Sequence, residues 1–177
     1  TIAWRVGLLS SVPMAVSCYF VWLTTHRLTK RMMVASVATL FYAFLYPVWL
    51  YGIVADVFGL FALFSAVYLY VFISWVDTKK RSLLYVLAVL TGVSMTHQYL
   101  IILIIVAAAI TLYRFDKGAW DFIKQIKLSF LTAVGVGLIP LLYAPVASFF
   151  NPPFDREHAA TLLGFIRLVS RVGVGGF

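Results

Sequence analysis

Charged side chains are scarce in this sequence. They make up 11% of the 177 residues and only six are acidic, whereas 63% of the residues are hydrophobic. Soluble domains carry about 25% charged residues, so a water-soluble fold is excluded. Cysteine is nearly absent too, because Cys18 stands alone inside an apolar run. That excludes a disulfide framework and a cysteine-based metal centre. No phosphate-binding loop, nucleophile elbow or zinc motif is present, so no motif-defined enzyme class is indicated.

Long apolar blocks fill most of the chain. Short charged segments separate apolar blocks over residues 6–25, 32–50, 57–76, 82–113 and 126–146. An α-helix rises about 1.5 Å per residue, so about 20 residues cross a bilayer core of ~30 Å. We therefore predict an all-α integral membrane protein, a multi-pass helical bundle with the lipid bilayer as its partner. In the last block, Gly135 and Gly137 are predicted to allow close helix contact.

The strong positive charge supports the same class. A net charge of +8 would suggest nucleic acid as the partner of a soluble protein, but here the basic residues flank apolar blocks. They are typical of topology signals, since the cytoplasmic loops of membrane proteins are enriched in Lys and Arg. We therefore predict no nucleic-acid partner.

The block over residues 82–113 is too long for one span and short for two. Thr96, His97 and Gln98 interrupt it with polar side chains. If the chain reverses there, ten of its fourteen Lys and Arg residues lie in the cytoplasm, as the positive-inside rule favours. We therefore predict a short-armed helical hairpin with arms over 82–95 and 99–113. Its tip and Asp56 then lie on the extracytoplasmic side.

The chain is predicted to divide after residue 150. Residues 1–150 form a transmembrane domain with spans at about 6–25, 32–50, 57–76, 82–95, 99–113 and 126–146. The Asn-Pro-Pro sequence at 151–153 ends the last helix, because proline supplies no backbone donor. Residues 151–177 are predicted to form an extracytoplasmic juxtamembrane segment, amphipathic because Leu162 and Phe165 share one helical stripe. Both chain ends indicate a fragment of a larger protein.

Asp56 is the first candidate site residue. An acid among apolar neighbours, with no basic residue nearby in sequence, is costly in or near a membrane and indicates function. The alternative is an interfacial residue that caps the N-terminus of the third span, where a carboxylate is stabilised. The two interpretations are compatible.

His97 and Gln98 at the hairpin tip are candidate substrate-binding residues. They could hydrogen-bond a phosphate or a sugar, and His97 could transfer a proton near neutral pH. The alternative is a turn that satisfies its own backbone groups. A divalent metal bound by Asp56, His97 and His158 is a third interpretation. No ligand-spacing motif supports it, so no metal ligand and no cofactor are assigned.

Several stretches, taken in order, carry a family resemblance. They are RVGLLSS at residues 5–11, PVW at 47–49, ADVFGL at 55–60, GVSMTHQ at 92–98, YAP at 143–145 and NPP at 151–153. The chain thereby resembles the protein O-mannosyltransferase-like multi-pass family. This bacterial domain of unknown function is related to the GT-C glycosyltransferases and is similar to glycosyltransferase family 39. Members carry an AEVY-like motif where ADVF stands here, so Asp56 keeps the acid with one methylene fewer. They often carry Asn where Thr96 precedes His97.

The resemblance implies part of a GT-C fold and an inverting sugar transfer. A mannose-like hexose would pass from a polyprenyl-phosphate donor to a protein or glycan acceptor, outside the bacterial plasma membrane. In such enzymes an Asp in the first outer loop is the general base, so the principal catalytic residue is expected upstream of Thr1. Asp56 is then an accessory residue that contacts substrate together with His97 and Gln98. The rival interpretations are a transporter or flippase module and a noncatalytic membrane subunit.

Overall fold

Helices make up all the regular structure of the described residues. The computed structural model describes residues 2–54, 56–150 and 159–170. The elements are α1 Ile2–Thr29, α2 Met32–Phe44, α3 Tyr46–Ile53, α4 Phe58–Thr78, α5 Arg81–His97, α6 Ile101–Phe115, α7 Lys117–Gln125, α8 Lys127–Gly137, a 3-10 helix Ile139–Leu142, α9 Tyr143–Ser148 and α10 Leu162–Ser170. The predicted all-α membrane fold is confirmed.

The chain forms two compact units. The first, Thr1–Gly137, contains α1 to α8, and the second, Leu138–Phe177, contains the 3-10 helix, α9 and α10. Within the second unit, the backbone N–H of Ala160 donates to the Ser148 hydroxyl over 2.9 Å. Of the segment predicted to be amphipathic, residues 151–158 and 171–177 lie outside the described residues, and α10 occupies most of the rest.

Two described helices are long and apolar enough to cross a membrane alone. They are residues Trp4–Thr29 of α1 and the whole of α4, and the number rises to four if each of two bent helix pairs forms a span. Two prolines explain why two of the predicted spans are broken. Pro47 at the start of α3 cannot donate to the fourth carbonyl before it, so the predicted span 32–50 breaks at Leu45 and bends by 61°. Pro140 likewise stands in the 3-10 helix after α8 ends, so the predicted span 126–146 is not one helix.

The core of the first unit lies among α4, α5 and α6. Its buried members are Tyr68, Val71, Trp75, Leu84, Leu87, Ala108 and Leu112. Large apolar side chains also cover the exterior, where Met33 is 80% exposed and Phe41 is 72% exposed. Such a surface is a liability in water but is what a hydrocarbon solvent requires.

The chain reverses direction between α5 and α6, as the predicted hairpin requires. An ion pair between Lys79 and Asp116 brings the end of α6 to the loop that precedes α5. The arms have 17 and 15 residues, about 25 and 22 Å of helix, so each is shorter than a ~30 Å hydrocarbon core. The turn falls at Gln98 to Leu100, later than the predicted tip, since α5 continues through Thr96 and ends at His97.

Candidate functional site

Asp56 and His97 line one cavity in the first unit. Asp56 lies in the link between α3 and α4, and His97 is the last residue of α5. The cavity has a volume of about 430 Å³. Its walls are formed by Val6, Leu9, Ser10, Pro13, Asp56, Val57, Leu60 and His97. The fold therefore brings together two residues that are 41 positions apart in the chain and gives them a largely apolar surround.

Ser10 of α1 holds the backbone at Asp56. The Ser10 hydroxyl donates to the Asp56 carbonyl over 2.8 Å and accepts from the Asp56 N–H over 2.9 Å. Ser10 is itself buried, at 1% exposure. Both backbone groups of Asp56 are thus satisfied by one side chain, so the position of the carboxylate depends on the packing of α1.

The Asp56 carboxylate is only partly engaged. Its Oδ1 accepts from the Val57 N–H over 2.6 Å, immediately before α4 begins. This location near a helix N-terminus favours a negative charge. Among the described residues, the second carboxylate oxygen has no hydrogen-bond partner, and it is therefore available to a ligand hydroxyl.

His97 is held against the same stretch of backbone. Its Nε2 lies 2.9 Å from the Val57 carbonyl oxygen, and the Phe64 ring meets the imidazole edge-on at 5.9 Å. A carbonyl oxygen only accepts, so Nε2 carries the hydrogen in this contact. The backbone of Val57 therefore connects the two candidate residues. Its N–H donates to the Asp56 carboxylate, and its carbonyl accepts from His97. For His97 to act on substrate through Nε2, it must first release Val57.

Gln98 lies outside this cavity. It caps the C-terminus of α5, where its backbone N–H donates to the Ser94 carbonyl over 2.9 Å, and it is 8% exposed. His158, the third residue of the metal interpretation, lies outside the described residues. Among the described residues, no group of three or more His, Cys, Asp or Glu could hold a metal ion.

Sequence reasoning missed Ser10 as a site residue. The available signal was its seven-residue spacing from Ser17, which places both on one face of α1, and both are buried. A second signal was Gly59 in the first turn of α4. A Cβ there would lie 2.5 Å from the Ser10 carbonyl oxygen, so the glycine allows α1 to approach closely enough for Ser10 to reach Asp56.

Asp56 differs from the other described acids in having no cation beside it. The ion pairs are Arg27 with Asp77 at 2.7 Å, Lys79 with Asp116, and Lys124 with Asp121 at 3.2 Å. Asp56 is thus the one acid of the described ranges that forms no ion pair, and it lies at the start of α4 whereas Asp77 lies at the end. A half-buried carboxylate beside a cavity, with a free oxygen and no counter-ion, is the arrangement expected of a ligand contact.

A known protein family matches most of the chain. Residues 1–120 match the family model described as Protein O-mannosyl-transferase TMEM260 N-terminal domain. The match includes Asp56 and His97. No curated protein and no solved structure matches the chain significantly.

Proposed function

The chain belongs to the family defined by the N-terminal domain of the protein O-mannosyl-transferase TMEM260, and on that premise we propose that it is part of a membrane glycosyltransferase. The proposed donor is a polyprenyl phosphate that carries a mannose-like hexose. The proposed acceptor is a hydroxyl of a protein or glycan on the extracytoplasmic side, and the proposed location is the bacterial plasma membrane. The proposed architecture is part of a GT-C fold.

The unpaired Asp56 carboxylate carries this proposal. A sugar presents hydroxyl donors, and a carboxylate oxygen without a partner accepts from them more strongly than a neutral group does. The surrounding walls are apolar at Val6, Leu9 and Leu60. These walls suit the isoprenoid chain of a donor. That chain stays in the hydrocarbon region, and the donor leaves it only from the phosphate onward. One cavity thus combines a carboxylate oxygen that can accept a hydrogen bond from a sugar hydroxyl with apolar walls that can contact a lipid chain.

The proposed chemistry is an inverting displacement at the anomeric carbon. The acceptor oxygen bonds to that carbon, its proton passes to a base, and the bond from carbon to phosphate oxygen breaks. Polyprenyl phosphate leaves with the bonding electron pair. In this scheme Asp56 orients a hydroxyl of the sugar or the acceptor, and the rigid link through Ser10 keeps its carboxylate in place. His97 supports the same backbone until substrate arrives.

The test is mannosyl transfer by the full-length protein with Asp56 changed to Asn. The amide can still accept from the Val57 N–H, so the fold is kept while the charge is lost. We expect kcat/KM to fall about 10- to 100-fold, because a hydrogen bond to a charged group is worth ~1.5–3 kcal/mol. Asp56→Glu keeps the charge and should retain more activity than Asp56→Asn.

Asp77→Asn is the matched control, since it removes an acid from the opposite end of α4. Asp77 forms a partly exposed ion pair with Arg27, and its loss should leave kcat/KM within about twofold. Full transfer activity of Asp56→Asn would remove Asp56 from the reaction. An inactive wild-type protein that binds an active partner would favour the noncatalytic subunit, and donor movement across the bilayer without transfer would favour the flippase.

A further inference from the structure

A second cavity lies in the first unit at the far end of α4 from Asp56. It has a volume of about 470 Å³ and is lined by Trp75, Lys79, Arg81, Asp116, Gly118 and Phe122. Leu60 near the start of α4 lines the Asp56 cavity, whereas Trp75 near its end lines this one. Its size falls within the ~300–1,000 Å³ typical of ligand sites. It therefore has room for a ligand other than the one proposed for the Asp56 cavity.

The charge of this second cavity is net positive. Lys79 pairs with Asp116, and its ammonium group also lies 5.2 Å from the centre of the Trp75 ring. The guanidinium of Arg81 lies 5.2 Å from the centre of the Phe122 ring and forms no ion pair with any described acid. A guanidinium over an aromatic ring still has N–H donors in the fork geometry that suits phosphate oxygens. Among the lining residues that the structure describes, two cations thus stand against one carboxylate.

Two helix starts add to this positive potential. Arg81 is the first residue of α5, and Gly118 is the second residue of α7. The first N–H groups of a helix have no partner within it, and their aligned dipoles favour an anion. Of the described atoms, a Cβ at Gly118 would have only the Asp116 Oδ1 within 4 Å, at 3.8 Å. The absence of a side chain there leaves this wall of the cavity open.

An apolar cavity adjoins the positive one. It measures about 150 Å³ and lies among α4 to α8, and its described lining residues carry no charge. Trp75 lines both cavities, and its buried indole N–H has no acceptor among the described residues. A polar oxygen at the junction would satisfy that donor. The two cavities together match a molecule with an anionic head, a polar link and an apolar chain.

We propose that these joined cavities bind an anionic membrane lipid, with its phosphate at Arg81 and Lys79 and part of a chain against Trp75. The site is separate from the transfer site and does not depend on the proposed function. The shared chemistry is a lipid phosphate ester, which either a bulk phospholipid or a polyprenyl phosphate would supply. Bound lipid would tie the start of α5 to α7 and so stabilise the base of the hairpin.

Lipid binding to the full-length protein in a zwitterionic detergent tests this site. Native mass spectrometry or a thermal-shift titration would compare phosphatidylglycerol, polyprenyl phosphate and phosphatidylcholine. We expect the two anionic lipids to raise the melting temperature and phosphatidylcholine to have little effect. Tighter binding of phosphatidylglycerol identifies a bulk phospholipid as the occupant, and tighter binding of polyprenyl phosphate identifies the carrier lipid. Equal binding of all three lipids would overturn the proposal.

Two variants locate the binding. Arg81→Gln should weaken anionic lipid binding about tenfold, because a charged hydrogen bond to phosphate is lost. Lys124→Gln removes the same unit of charge from a cation that lines neither cavity, so it should change binding less than about twofold.

Gly118→Leu keeps every charge and fills the cavity, so it too should weaken lipid binding. Its control is Gly135→Leu, since a Cβ at Gly135 has nothing within 4 Å. Leucine favours helix over glycine at both positions, so neither change should unfold the protein. If Arg81→Gln and Gly118→Leu bind anionic lipid as the wild type does, the lipid does not occupy these cavities. Transfer activity is a separate readout and should persist in both variants.

Discussion

At the scale of single residues, two adjacent serines have different roles. The Ser11 hydroxyl donates to the Gly7 carbonyl of its own helix over 3.1 Å, whereas the Ser10 hydroxyl leaves the helix and bonds both backbone groups of Asp56. Sequence could not separate them, because a helical serine bonds its own backbone unless a neighbouring helix offers something better. Only the packing of α1 on α4 determines which serine reaches the site.

Replacing Ser10 with Ala should therefore destabilise the protein more than replacing Ser11. Ser10→Ala leaves the N–H and carbonyl of Asp56 without their partner, which costs about 1–3 kcal/mol for each buried group left unpaired. Ser11→Ala removes only a local bond and should cost less than about 0.5 kcal/mol. Thermal unfolding in detergent measures both. Equal losses would mean that Ser10 is dispensable for holding Asp56.

At the scale of helices, the crossing of α5 and α8 is a backbone contact. A Cβ on Gly92 would lie 2.2 Å from the Val134 carbonyl oxygen and 2.7 Å from the Gly137 Cα. A Cβ on Gly137 would lie 2.2 Å from the Val89 carbonyl oxygen. The predicted close contact at Gly137 is present, but Gly135 faces open space and makes none. Two residues along a helix point to different sides, so only one of the pair could meet α5.

Alanine substitutions at Gly92 and Gly135 should change the stability of the protein in opposite directions. Gly92→Ala forces the two helices apart, and we expect it to destabilise the protein by about 1–3 kcal/mol. Gly135→Ala adds a methyl group where nothing is met, and it should stabilise α8 by about 0.5–1 kcal/mol. Chemical or thermal denaturation in detergent compares the two variants. A neutral Gly92→Ala would show that α5 and α8 do not cross so closely.

At the scale of the whole molecule, charge is segregated within the first unit. The ion pairs of Arg27 with Asp77 and Lys79 with Asp116 join the ends of α1, α4 and α6. Asp56 lies at the other end of α4. The positive-inside rule predicts that the end with these ion pairs is cytoplasmic, and we therefore propose that the candidate site lies on the extracytoplasmic side.

Cysteine labelling in intact cells should show this orientation. In a Cys18→Ala background, single cysteines at Leu100 and Phe115 occupy opposite ends of α6 and are 47% and 86% exposed in the wild type. We expect an impermeant maleimide to label the Leu100 position in intact cells and the Phe115 position only after permeabilisation. Gln98 is too buried to serve. Labelling only at Phe115 would invert the topology, and equal labelling at both would mean that α6 does not cross.

The features that could be predicted from the sequence are those that local residue patterns determine. Apolar blocks indicated the helices, polar residues indicated the turn after α5, and the lone acid indicated Asp56. The break at Leu45 was missed, although Pro47 was visible, because block length outweighed a single proline. The contacts of Ser10 depend on how helices rotate against each other, and no residue pattern along one chain contains that rotation.

The crossing of α5 and α8 also limits how this protein can diverge. At the ion pair of Lys79 with Asp116, a change in one partner can be balanced later by a change in the other. No such compensation is possible at Gly92 and Gly137, because neither has a side chain that could become smaller when the other residue becomes larger. A larger residue at either place must be accompanied by a shift of an entire helix. Among homologues, the two positions should therefore change together with the helix geometry or remain glycine.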